Sequence, residues 1–242
     1  MKILIFIFGI FSVLRITAQE VSERFEVLEN GDEFTLKVSR TIDDQRDFVV
    51  EGSPYLDKEF KPGRWKLANR SSQEASMRYN GYYDAIQLNQ NGDTFYLRKS
   101  PDVTAEIGGI RYEFVAYLNH GNLKSGYMTP LNQGNTVLYL RSTKILIPPR
   151  RPQHGYDLPK PPKFESRMEY YLKQKNRPAK ALLNLSRKEV FAVLWDKYSE
   201  LRKYAKQNKL DMRSQEEVIQ VLKYYDTLKS VEQEDPSFED KP

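Results

Sequence analysis

From Phe25 to Ile147, apolar and polar residues alternate in short runs cut by glycine turns, the period-two pattern of antiparallel strands with one buried face. Phe34, Leu36 and Val38 alternate, Phe48-Val49-Val50 forms a short run before Gly52-Ser53-Pro54, and Trp65 and Leu67 follow the Pro62-Gly63 turn. Met77 and Tyr79 share a face, as do Ile86 and Leu88. The clearest hairpin joins Ile86-Gln87-Leu88 to Phe95-Tyr96-Leu97 through Asn91-Gly92-Asp93, because Asn-Gly supplies the positive φ of a tight turn. Gly108-Gly109 then separates two further runs, and Gln133-Gly134-Asn135 precedes the long one from Thr136 to Ile147. No helical crossover intervenes, so the pattern disfavours a parallel α/β sheet and predicts a meander that closes into a sandwich or partly open barrel.

The character changes at Pro148-Pro149. Residues 148–163 carry Arg150, Arg151, Lys160 and Lys163 among several prolines, a composition that favours extended conformation over a sheet ladder and predicts a basic linker or long exposed loop. Phe164 to Leu172 reads as an edge strand, stopped by Pro178.

Helical spacing follows. Ser186-Arg187-Lys188-Glu189 and Ser214-Gln215-Glu216-Glu217 each place serine three residues before glutamate, the capping-box arrangement of a helix start. Behind the first, Val190, Leu194, Tyr198, Leu201 and Ala205 repeat at three to four residues, with Trp195 flanking. Behind the second, Val218, Val221, Leu222 and Tyr225 do the same. Two amphipathic helices turning at Asn208 to Asp211 form a hairpin. The predicted class is α+β: residues 19–147 an antiparallel β domain, 148–163 the linker or loop, 164–229 a strand plus helical hairpin, and 230–242 an acidic tail with too little apolar content to order itself.

The start of the chain adds a compartment. Lys2, the apolar run Ile3 to Leu14 and the small residue Ala18 read as a signal peptide over residues 1–18, and the run is too short to span a bilayer. The expected destination is the periplasm or the exterior, with no transmembrane segment in the mature chain. The chain has no cysteine, which excludes disulfides, thiol nucleophiles and thiolate metal sites.

Charge then divides the molecule. Residues 19–143 hold fifteen Lys and Arg against eighteen Asp and Glu, residues 144–229 hold twenty against ten, and residues 230–242 hold one against five. The asymmetry points to an anionic partner, and export argues against nucleic acid, leaving an anionic envelope polymer, lipid headgroups or an acidic protein. The candidate contacts are Lys203, Lys206, Lys209 and Arg213, with Arg150 and Arg151 next; the acidic tail is a candidate mask for this basic half.

Catalytic chemistry is sparse. His120 and His154 sit in separate glycine-containing segments and form no spaced ligand set, so they read as turn residues and no metal or cofactor is expected. The nucleophile-elbow, dinucleotide and phosphate-loop glycine motifs are absent from the sequence. A carboxylate pair assembled by the fold is the one enzymatic route left, since glycosidases need only two such groups. Asp84, beside Tyr82 and Tyr83, is its best candidate, ahead of Asp93, Glu106 and Glu113. The expectation is nonetheless a non-enzymatic binding protein. Its rivals are a carbohydrate-active enzyme and a carrier whose curved sheet holds an apolar ligand against Trp65, Phe95 and Phe114.

Three stretches carry a resemblance: Gly52-Ser53-Pro54-Tyr55-Leu56 with Phe60 and Pro62-Gly63; Arg78-Tyr79-Asn80 with Tyr83-Asp84-Ala85-Ile86; and Asn208-Lys209-Leu210 leading to Tyr224-Tyr225-Asp226. In order and spacing they are similar to a group of uncharacterised exported proteins of Bacteroidetes-type bacteria. The resemblance implies a place in the cell envelope and transfers no catalytic residue. Structurally, Arg78, Tyr79 and Asp84 are expected to form a buried polar network that pins adjacent strands.

Overall fold

A computed structural model describes Thr35–Lys37 and residues 49–234, apart from Asn69, Asn91, His120 and residues 151–157. The export segment, His120, His154, Arg151 and the last eight residues of the tail therefore lie outside the described residues. The fold is α+β. A meander, β1 (Thr35–Lys37), β2 (Lys61–Leu67), β3 (Gln73–Asn80), β4 (Ala85–Gln90), β5 (Asp93–Leu97) and β6 (Val103–Ile107), leads into β7 (Ile110–Asn119), β8 (Asn122–Pro130) and β9 (Thr136–Ile147). Then come β10 (Lys163–Gln174), β11 (Ala179–Leu182), the helix α1 (Arg187–Val193), a 3-10 turn (Trp195–Lys197), α2 (Tyr198–Gln207) and α3 (Gln215–Glu234).

The β4–β5 hairpin forms in the register the sequence implies, with Leu88 opposite Phe95, Gln87 opposite Tyr96 and Gly92 at φ 89°. Met77, Tyr79, Ile86 and Leu88 are buried together with Trp65 and Val103, as period-two alternation requires. Phe95 and Phe114 pack against this same cluster. The aromatic side chains proposed for an apolar-ligand cavity thus belong to the meander's packed core.

Closure comes from the later strands. β7 pairs antiparallel with β8, β8 with the middle of β9, β9 with β10 over twelve residues, β10 with β11, and β11 returns parallel to β7 at Ala179↔Tyr117 and Lys180↔Leu118. Five strands so form a partly closed barrel. Buried within one cluster are Val115 and Tyr117, Met128, Tyr139, Tyr171 and Ala179, contributed by all five strands. β9 pairs with all twelve residues of β10. The run Phe164 to Leu172 pairs with β9 throughout and with β11 only from Tyr170 to Leu172, so its reading as an edge is corrected for that last part, which is interior. The described parts of residues 148–163 are the arms of the β9–β10 hairpin, where Arg150 and Lys160 exchange backbone hydrogen bonds of 3.0 Å each way.

The helices cover the other face of β9 and β10. Leu138 and Leu172 are buried with Val190, Leu194, Leu201, Val218, Val221 and Leu222. Both helix starts are capped as predicted, Ser186 Oγ accepting from the Glu189 N–H at 3.4 Å and Ser214 Oγ from the Glu217 N–H at 3.3 Å. The glutamates reach further back than a simple capping box, accepting from the N–H groups of Leu183, ahead of Ser186, and of Arg213, just before Ser214. On α3, Asp226 accepts the N–H groups of Asn135 (3.0 Å) and Thr136 (3.1 Å), fixing the helix to the start of β9.

The first predicted helix is broken. At Leu194 the chain tightens into the 3-10 turn before α2 begins. A 3-10 turn advances three residues per turn rather than 3.6, so the phase slips. Tyr198, placed on the apolar stripe by its spacing, is 49% exposed, and Trp195 is 68% exposed.

Candidate functional site

Two clefts gather charged side chains. One lies at the mouth of the barrel, the other at the corner where α1 meets α2.

The barrel mouth is built by a wedge. β8 and β9 pair only at Thr129↔Leu140 and Pro130↔Tyr139, and beyond that point the β3–β4 turn fills the space between them. Gly81 accepts the N–H of Lys144 on β9 at 3.0 Å. Asp84 accepts the N–H of Tyr127 on β8 at 3.0 Å and the hydroxyl of Tyr79 at 2.6 Å. Asp84 has φ 52°, a left-handed conformation that aspartate tolerates better than most residues. Gly126 faces it, and a Cβ there would collide with the Asp84 Oδ2 and crowd Arg141 Nε.

Arg141 completes the plug. Its guanidinium sits between Asp84 at 3.3 Å and Glu169 at 3.4 Å, and lies 5.1 Å from the Tyr117 ring centroid. Burial works against its charge, but Asp84, with Tyr117 and Tyr79, more than offsets that and holds its pKa above the ordinary guanidinium value. Burial, reinforced by the Asp84 charge, drives the Tyr79 hydroxyl far above the usual phenol range, so it stays a donor. The cleft in front measures about 1250 Å³ and is faced by Lys124, Lys144, Arg167 and Arg213 as well as Arg141. Much of this charge is spent internally. Arg167 pairs with Glu169 at 2.9 Å, and Lys144 donates to Ser166 at 2.8 Å. The expected Tyr79–Asp84 network is thus present as a plug that reaches across four strands.

Arg78, expected in the same network, belongs to a neighbouring one. Its guanidinium carbon lies 3.6 Å from the Tyr55 ring centroid and 4.3 Å from that of Phe60, while Nε donates to Gln87 at 2.7 Å and Nη1 to the Lys58 carbonyl at 2.9 Å. Of the carboxylates considered for catalysis, Asp84 is engaged by Arg141, Glu106 pairs with Arg64 at 2.9 Å and Glu113 accepts the Tyr139 hydroxyl at 2.7 Å. Among the described residues, no three His, Cys, Asp or Glu side chains gather as a metal site.

The helical corner differs in that, among the described residues, only Arg187 of its lining cations is paired with an acid. A groove of about 770 Å³ is lined by Arg187, Lys188, Arg202 and Lys206 around the exposed rings of Trp195 and Tyr198. No carboxylate lines it among the described residues. Lys203 and Lys209 are exposed on the same helix and at its end. Among the described residues, no acidic side chain pairs with Lys188, Arg202, Lys203, Lys206 or Lys209. The acids of this region work behind the corner instead. Lys197 pairs with Glu232, Lys229 with Asp196 at 3.3 Å, and the Tyr225 hydroxyl bonds Asp196 and accepts from Gln174 at 2.8 Å. Residues 183–213 hold eight Lys and Arg against four Asp and Glu, whereas α3 holds two against five. The basic character of the helical half therefore resides in α1 and α2.

Lys203, Lys206 and Lys209 thus share one exposed helix and its end. Arg213 falls across the turn, on the rim of the barrel mouth. Arg150 stands on the β9–β10 hairpin, remote in sequence from both helices and lining neither cleft. Arg187, Lys188, Arg202, Trp195 and Tyr198 join the site without having been singled out as contacts. The first three were legible as charge on the solvent side of a helix repeat, but the two aromatics needed the phase slip at Leu194. The described residues contain no helix long and apolar enough to cross a membrane. Comparison with protein families, with curated proteins and with solved structures returns no match.

Proposed function

We propose that the protein is an exported, non-enzymatic component of the cell envelope that binds an anionic partner through the α1–α2 corner. The observation that carries this reading is the contrast between the two clefts. At the barrel mouth, Arg141 and Arg167 are paired with Asp84 and Glu169, while at the corner Lys188, Arg202 and Lys206 stand unpaired, among the described residues, around two exposed aromatic rings with no lining acid. Aromatic residues and arginine are the side chains enriched in binding surfaces, and a one-sign patch raises the local concentration of the opposite charge.

The test is binding of a soluble polyanion, long-chain polyphosphate, at rising salt. Wild-type protein should bind and lose affinity as salt screens exposed charges. The variant Arg202→Gln/Lys203→Gln/Lys206→Gln/Lys209→Gln should unfold at the same temperature as wild type, because all four side chains are exposed or unpaired, yet fail to bind. Equal binding by this variant, or salt-independent binding by wild type, would refute the assignment.

A further inference from the structure

Resting on that reading, we infer that the anionic partner is a phospholipid surface and that Trp195 and Tyr198 are its interfacial anchors. Free polyanions need only charge. What the corner adds is two large amphipathic rings facing solvent, Trp195 68% exposed and Tyr198 49% exposed, whereas the other tryptophan, Trp65, is 4% exposed. Tryptophan and tyrosine concentrate at membrane–water interfaces, where an apolar body and a polar tip meet the headgroup layer. Lysine and arginine beside them are drawn to anionic lipid, each contributing a similar increment near the surface. Long basic side chains can also lie along the acyl boundary while their charges stay in the headgroups.

The corner is preorganised for this. Phe191 packs edge-on against Tyr198, centroids 5.7 Å apart, and is itself buried, so the exposed ring is braced from below. Arg187 donates to the Leu210 carbonyl at 2.6 Å and pairs with Asp211 at 3.1 Å, tying the start of α1 to the turn after α2. The Lys197–Glu232 pair and the Tyr225–Asp196 bonds hold the 3-10 turn against α3. Docking then orders few additional groups, which lowers its entropic cost.

Two tryptophans in opposite environments make the experiment direct. Full-length mature protein is mixed with vesicles of phosphatidylglycerol and phosphatidylcholine, or of phosphatidylcholine alone, and tryptophan emission and co-sedimentation are followed. The expected result is a blue shift and co-sedimentation with the anionic vesicles only. Trp195→Phe should abolish the shift, since Trp65 is already buried, and weaken co-sedimentation. Neutralising Arg202, Lys203, Lys206 and Lys209 should lower vesicle affinity by about five-fold per charge. If polyphosphate binds but anionic vesicles do not, the lipid inference falls and the anion-binding reading stands. A Trp195 shift on poly-glutamate without vesicle binding would instead assign an acidic protein partner. Failure to bind any of these overturns both, and equal binding to neutral vesicles overturns the role given to charge.

Discussion

Asp84 and Tyr127 are joined by a 3.0 Å hydrogen bond from the Tyr127 main-chain N–H to the Asp84 carboxylate, across 43 residues of sequence. The bond fastens the β3–β4 turn into the gap between β8 and β9, and the same carboxylate faces Arg141 at 3.3 Å. Removing it strands a largely buried guanidinium. Asp84→Ala should destabilise the protein by about 3 kcal/mol, the lower end for breaking a buried ion pair, because Glu169 still faces Arg141. Asp84→Asn keeps an acceptor and tolerates the left-handed backbone, so it should lose about half as much. Urea unfolding separates the two, and equal losses would assign the whole effect to charge.

Alkaline pH should unfold the protein. Burial raises the pKa of Tyr79 and Tyr127 far above the ordinary phenol value of 10.0 and that of Tyr112 to about 12. In the unfolded chain these phenols ionise first. The stability they confer is therefore complete below pH 10 and declines as pH rises towards the folded values, by about 1.4 kcal/mol per pH unit for each enclosed tyrosine. Urea midpoints measured on either side of the ordinary phenol value, with tyrosinate absorbance as the second signal, test this; a flat profile would contradict it.

Arg78 should not accept lysine. Its planar guanidinium lies against Tyr55 and Phe60 while bonding Gln87 and the Lys58 carbonyl, a combination an ammonium cannot reproduce. Arg78→Lys is expected to cost about 1–2 kcal/mol in unfolding free energy. A loss confined to Arg78→Ala, with lysine neutral, would mean the charge alone matters.

Lys209 occupies the left-handed position that ends α2, at φ 54°. Leu210 N–H reaches the Ala205 carbonyl at 2.9 Å and Lys209 N–H the Lys206 carbonyl at 3.3 Å, the bonding of a Schellman ending, which glycine usually occupies. Lys209→Gly should raise stability by about 1 kcal/mol by relieving the left-handed backbone, while weakening polyphosphate binding. Lys209→Ala, which keeps a Cβ, should weaken binding without the gain. Calorimetry with a binding titration checks both.

The meander and the helix caps were legible because each rests on local rules. Alternation placed Met77, Tyr79, Ile86 and Leu88 in one core, and Ser186 and Ser214 marked the helix starts. A partly open barrel was expected, but the seam that closes it was not legible. Ala179 and Tyr117 lie far apart in sequence, and their parallel pairing leaves no periodic trace in either segment. The ending of α2 was also obscure, since Lys209 stands where glycine would have signalled it. Residues in and beside the three stretches singled out in the sequence turn out to be joints. Gly81 and Tyr82 donate to the Pro54 carbonyl at 2.9 and 3.2 Å, and Leu56 donates to the Tyr79 carbonyl at 3.2 Å, so the first motif clasps the second, while Asp226 of the third docks α3 on β9. Charge was legible in amount but not in place, because the sequence does not say which cations find partners.

The β11–β7 seam carries a consequence for how the molecule is made. A chain emerging from its N-terminus can assemble the meander early, since those pairings are between neighbours, but the tyrosine-lined ring stays open until Lys180 arrives to meet Leu118. Until then the end of β7 beyond its pairing with β6 shows a bare ladder edge, the kind of surface that recruits stray strands. Shortened products ending before residue 179 should accordingly clump rather than fold, and the short strand that begins there acts as the clasp that ends this exposure.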